Sequence, residues 1–134
     1  MIKEAAAGIV AGIFSAFFAM AINTKFAKYS KRSAVTFGAP VVEEILKTSA
    51  VIFGGSVFLS HLTFGMIEAI CDVAKKGGKK ALVAGISAVL SHAILGLVTV
   101  FVWDVFKSLY VGIFVACILH IGWNSLVMLS CQER

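Results

Sequence analysis

Charge is what this sequence has least of. Asp, Glu, Lys and Arg make up 14% of its 134 residues, against about 25% in an ordinary soluble domain. Acids are the scarcer sign, seven against twelve Lys and Arg, for a formal net charge of +5. With one proline and no linker or low-complexity run, nothing marks a boundary, and residues 1–134 read as a single domain. The three cysteines, Cys71, Cys117 and Cys131, are odd in number and lack metal-ligand spacing, which excludes a disulfide framework and a zinc knuckle and leaves free apolar thiols. There is no internal repeat of the kind that builds a two-halved carrier. The basic residues flank apolar stretches instead of lining one face, so a nucleic-acid partner has no footprint.

What the chain has in excess is hydrocarbon. It is 60% hydrophobic with 11 Phe, and its mean hydropathy is +0.97. The expected class is an all-α membrane protein, a compact bundle of about five transmembrane helices whose partner is the lipid bilayer. The spans fall at about Ala5–Ile22, Gly38–Phe53, Ser56–Ala74, Ala81–Trp103 and Leu109–Ser130. The second is short against the ~20 residues a crossing helix needs, and four crossings stay open. Pro40 suits a first helical turn, Gly54-Gly55 a break, and Asp104 to Ser108 a short turn. Gly8-x-x-x-Gly12 lets two helices approach closely. Ala19-Met20-Ala21 resembles a signal-peptidase site, but cleavage there would put the following basic stretch on the translocated side, so an uncleaved helix is expected.

Basic residues orient the bundle. Lys25, Lys28, Lys31 and Arg32 fall in one loop and Lys75, Lys76, Lys79 and Lys80 in another on the same side, with Arg134. Lys3 and Lys107 fall opposite, and Lys47 lies within a span. A multi-pass protein of the cell membrane is expected, N-terminus outside and C-terminus cytoplasmic.

Against this background the ionisable residues within the spans stand out, since each costs roughly 2.5–3.5 kcal/mol to insert even on the mildest scale. In the second span, about 100° per residue puts Lys47 between Glu43 and Glu44, one turn further in, within reach of either. Glu68 follows Phe64 by one turn on the third span; Asp72, before Lys75 and Lys76, serves as the helix-end acid. His92 lies mid-span on the fourth, and His120 and Asn124 share a face of the fifth. Glu43, Glu68 and Asn124 lie at similar depth, roughly 10 Å in, with His92 and His120 deeper. His61, near the outer end of the third span, is assigned to the interface. Singly, His92 is a core histidine, Asn124 an interhelical hydrogen bond and the two glutamates a helix start. Together they are a site.

Glu43-Glu44-x-x-Lys47, Phe64-x-x-x-Glu68, His92 on the next helix and His120-x-x-x-Asn124 resemble the PrsW-type intramembrane proteases, which share a wider group with the type II CAAX prenyl endopeptidases. The motifs run in order, one per successive helix, across residues 38–126. The prenyl endopeptidases typically carry Arg where Lys47 stands, at a longer spacing, and His where Glu68 stands, so both departures favour the PrsW branch.

The resemblance implies a glutamic-type intramembrane endopeptidase that hydrolyses a membrane-anchored protein near the cytoplasmic leaflet, without a metal or other cofactor. It implies Glu43 as general base, Glu68 sharing or positioning the water, Glu44 and Lys47 holding the base, and His120 with Asn124 binding the oxyanion; His92 completes the site and Phe64 supports it. Two alternatives stay open: a metal-dependent membrane protease, although no His-Glu-x-x-His exists, and a non-catalytic scaffold or transport module. A homo-oligomer also stays open.

Overall fold

Long apolar runs with no interior proline become long helices, and the computed structural model, which describes residues 1–132, is a helical bundle. Arg134 and the Cys131 side chain lie outside that description. The elements in order are α1 (Ile2–Ala27), α2 (the single turn Lys31–Ser33), α3 (Ala39–Thr48), α4 (Val57–Lys76), α5 (Gly78–Phe106) and α6 (Leu109–Gln132). Of these, α1, α4, α5 and α6 are long and apolar enough to cross a bilayer. The chain is therefore a multi-pass membrane protein of four such helices and one shorter one.

The shorter one departs from the expected second span. Over Gly38–Phe53 the structure places the ten-residue α3 between a π turn, Ala34–Gly38, and a 3₁₀ turn, Ser49–Phe53. Pro40 accounts for the first irregularity. It has no N–H to donate, and in a regular helix its ring would strike the carbonyl four residues back. The turn ahead of it is widened, with the Ala39 N–H bonded five residues back to the Ala34 carbonyl. The 3₁₀ turn ends at Gly54, in the left-handed region at φ 64°, where glycine carries no Cβ penalty. Elsewhere the helices outrun their expected limits. α1 continues to Ala27 and takes Lys25 into its last turn, where a cation suits the helix dipole.

Successive segments alternate in direction. α3 runs back along α1, with Glu43 beside Asn23 and the Leu46 carbonyl beside Ser15. α4 then starts beside the beginning of α1, where the Ser56 N–H bonds the Glu4 carbonyl at 3.1 Å, and runs parallel to it. A Cβ on Gly8 would stand 2.6 Å from the Ser56 carbonyl oxygen, and one on Gly12 2.6 Å from that of Ser60. That is the close approach expected of the small-residue pair. α5 returns along α4, with Gly65 against His92 and Gly96 against His61. α6 closes the bundle against α5 and α3. The turn after α1 and the turn after α4, which the basic clusters flank, therefore lie at one end.

The outside is hydrocarbon and the inside is not. Phe14, Phe17, Phe18, Phe101, Phe106 and Phe114 are exposed, whereas Glu44, Lys47, His61, His92 and Thr99 are among the most buried residues. Lipid gives apolar side chains no reason to leave the surface, so small-residue packing and interhelical hydrogen bonds hold such a bundle. Ala16, Ala19 and Phe64 form its small apolar core, with Met20, Val42, Leu46 and Ile67 against it.

Candidate active site

Glu44 is the hub. One turn of α3 brings Lys47 onto its face, and the Lys47 ammonium donates to Glu44 Oε1 at 2.6 Å. His120 Nδ1, from α6, donates to the same oxygen at 2.8 Å. His61 Nε2, from α4, lies 2.9 Å from Glu44 Oε2. The carboxylate is fully buried, and three hydrogen bonds make that placement tolerable. The interfacial assignment of His61 is wrong: the ring is 0% exposed. α4 starts at Val57 and α3 ends at Thr48, and the first turn of α4 packs over the Glu44 face. The Val57 carbonyl lies 2.9 Å from His61 Nδ1. Both ring nitrogens thus meet acceptors, and the His61–Glu44 contact holds a proton whichever of the two formally owns it.

A second chain of hydrogen bonds leaves from Lys47. Its Nζ lies 2.9 Å from His92 Nδ1, and an ammonium can only donate. His92 Nδ1 is therefore the acceptor, its proton sits on Nε2, and Nε2 donates to Glu68 Oε2 at 2.7 Å. Phe64 packs edge-on to the His92 ring, centroids 5.0 Å apart, and lies under Lys47 Nζ at 4.8 Å, a cation–π contact. Lys47 binds Glu44 and His92, with no bond to Glu43; the expectation that it reaches either carboxylate narrows to one.

Glu43 is differently placed. It is buried, yet it accepts one side-chain hydrogen bond, from Asn23 Nδ2 at 3.0 Å. His120 Nε2 stands 3.9 Å from its Oε2, and because Nδ1–H is spent on Glu44, neutral His120 turns an Nε2 lone pair toward Glu43. Asn124 donates to the Val35 carbonyl at 2.9 Å, which anchors α6 to the π turn and leaves its second amide hydrogen uncommitted.

These groups surround one cavity of about 470 Å³, lined by Glu43, Glu68, His92, His120, Trp123 and Asn124 among others. Larger hollows of about 590 and 580 Å³ lie between α1 and α3 and along α4 and α5. Their walls are almost wholly apolar, so they offer no chemistry. Five of the six residues expected to carry catalysis thus line one space, with Glu44, Lys47 and Phe64 behind them. One ligand atom each from Glu43, His92 and His120 lie within 4.8 Å of one another, a spacing that suits a metal ion.

Sequence reasoning missed His61 and Asn23. His61, Phe64 and Glu68 lie at helical spacing on one face of α4, a signal that was available. Asn23 gave no signal, because it reads as the start of a basic loop until α1 is seen to continue through it. No protein-family model, curated protein or solved structure matches this chain.

Proposed function

We propose that the protein is an intramembrane endopeptidase that cuts a membrane-anchored substrate with a glutamate-activated water. The observation that carries this reading is the asymmetry of the pair: Glu44 is saturated by donors from three helices, while Glu43 faces the 470 Å³ cavity with one donor. A general base needs an oxygen free to take a proton within reach of the reacting water. Glu43 takes a proton from water, and the water oxygen bonds to the scissile carbonyl carbon. The C–N bond then breaks as that proton passes from Glu43 to the departing amine. Glu68, held by His92, borders the same space and helps to position the water. Asn124 offers the oxyanion its second amide hydrogen. His120 joins it only with both ring nitrogens protonated, since Nδ1–H is held by Glu44.

The bundle is oriented in this proposal with both basic turns in the cytoplasm, which sets the cavity near that leaflet. A metal-dependent hydrolase is the second reading, favoured by the Glu43, His92 and His120 ligand spacing. His92 opposes it. A ligating histidine offers one nitrogen to the metal and donates from the other, but His92 Nδ1 faces Lys47, which accepts nothing. The deciding experiment is cleavage of single-span substrates by the purified protein in lipid, with chelator and with added zinc. Cleavage that survives chelation supports the glutamate reading. Loss restored by one metal moves it to the second reading, and no cleavage of any substrate removes both.

A further inference from the structure

Asn23 belongs to none of the sequence motifs, and α1 lies outside the stretch that carries the resemblance. We infer that Asn23 binds the hydrolytic water, an assignment that rests on the glutamate reading above. Three observations converge on it. Its Nδ2 donates to Glu43 Oε1 at 3.0 Å, which orients the amide and turns Oδ1 away from that oxygen. Oδ1 is itself buried and has no hydrogen-bond partner among the described residues, a condition that costs about 1–3 kcal/mol if nothing meets it. Asn23 also lines a cavity of about 70 Å³ whose other walls are Ala16, Ala19, Met20, Glu43, Phe64 and Glu68, and Asn23, Glu43 and Glu68 border the 470 Å³ cavity as well. A water needs ~10–15 Å³ of such space and two or more polar partners, and this cavity supplies both.

A water in it donates one hydrogen to Glu43 and the other to Asn23 Oδ1, so its lone pairs point away from both. In the hydrolytic step the O–H bond directed at Glu43 breaks and its proton goes to the carboxylate. The oxygen forms the new C–O bond with its lone pair. The second hydrogen stays on the oxygen, held by Asn23 throughout. Asn23 thereby fixes the water's rotation, which one carboxylate alone leaves free. The same oxygens also suit a small cation, and the experiment separates the two.

The full-length protein in lipid is assayed with three forms of residue 23. Asn23→Ala should lower kcat on the order of 10²-fold with KM little changed, the scale of a misplaced reactant. Asn23→Asp is the sharper probe. While protonated, its carboxyl reproduces the donor to Glu43 and the acceptor to water; once ionised, it repels Glu43 and Glu68, with His92 of α5 and His120 of α6 beyond them. Its activity should return on the acid side of the wild-type profile and vanish on the alkaline side. Identical profiles for the Ala and Asp variants would reduce Asn23 to packing and overturn the inference. If Asn23→Ala fails to fold, the Asp profile still decides. A crystal structure that resolves solvent should place a water within hydrogen-bond distance of Asn23 Oδ1 and Glu43. A dry cavity or a bound ion there overturns the inference even in an active protease. The water found in a protein that cuts nothing refutes the protease reading instead, and the hydrolytic role with it.

Discussion

Glu43 and Glu44 are neighbours in the chain with opposite surroundings, and their substitutions should fail in different ways. Glu43→Gln keeps the shape and can still accept from Asn23, but it cannot take a proton. The expected outcome is a bundle of unchanged thermal midpoint with cleavage lowered at least on the order of 10²-fold. Glu44→Gln removes the charge that faces Lys47, His61 and His120. Breaking a buried pair from one side costs about 3–5 kcal/mol, so this variant should melt earlier in detergent whether or not it cuts. A Glu44→Gln protein with a wild-type midpoint and no activity would reverse the two roles. The spacing Glu43-Glu44-x-x-Lys47 made a polar face of α3 legible in the sequence. It could not say which carboxylate is enclosed, because the donors that enclose Glu44 arrive from α4 and α6, residues 61 and 120.

At the scale of elements, the four long helices were legible because each is an apolar run bounded by charge or glycine. α3 was legible only in part. Pro40 marked a helix start, but the chain enters it through a π turn already helical, whose Val35 carbonyl is met by Asn124 of α6. The small-residue face of α1 was legible as a close approach, though not its partner, since a parallel neighbour two segments later leaves no local mark. Gly12→Leu tests that contact. Its side chain must displace the backbone at Ser60, and overpacking of this kind costs typically 1–3 kcal/mol. The thermal midpoint should fall, and cleavage with it, because α1 carries Asn23 to Glu43. An unchanged midpoint would mean that α1 and α4 separate freely.

For the whole molecule, the alternation of segments puts both basic turns at one end, and the proposed orientation makes that end cytoplasmic. Reporters fused after Arg32 and after Gly78 should both give a cytoplasmic signal; an external signal at either site would overturn the orientation. Glu44 has a further consequence, for how the protein is made. α3 carries three ionisable residues in ten, at roughly 2.5–3.5 kcal/mol each, more than its few aliphatic side chains return on entering lipid. When α3 leaves the ribosome, the groups that satisfy it, His61 and then His120, have yet to emerge. It should therefore wait at the translocon or on the membrane surface, and be drawn in only as the last helix is completed. A chain stopped at Lys107 should leave a cysteine at position 41 open to a water-soluble alkylating reagent, and extension through α6 should protect it. Equal protection in both would mean that α3 inserts unaided, before any partner exists for its charges.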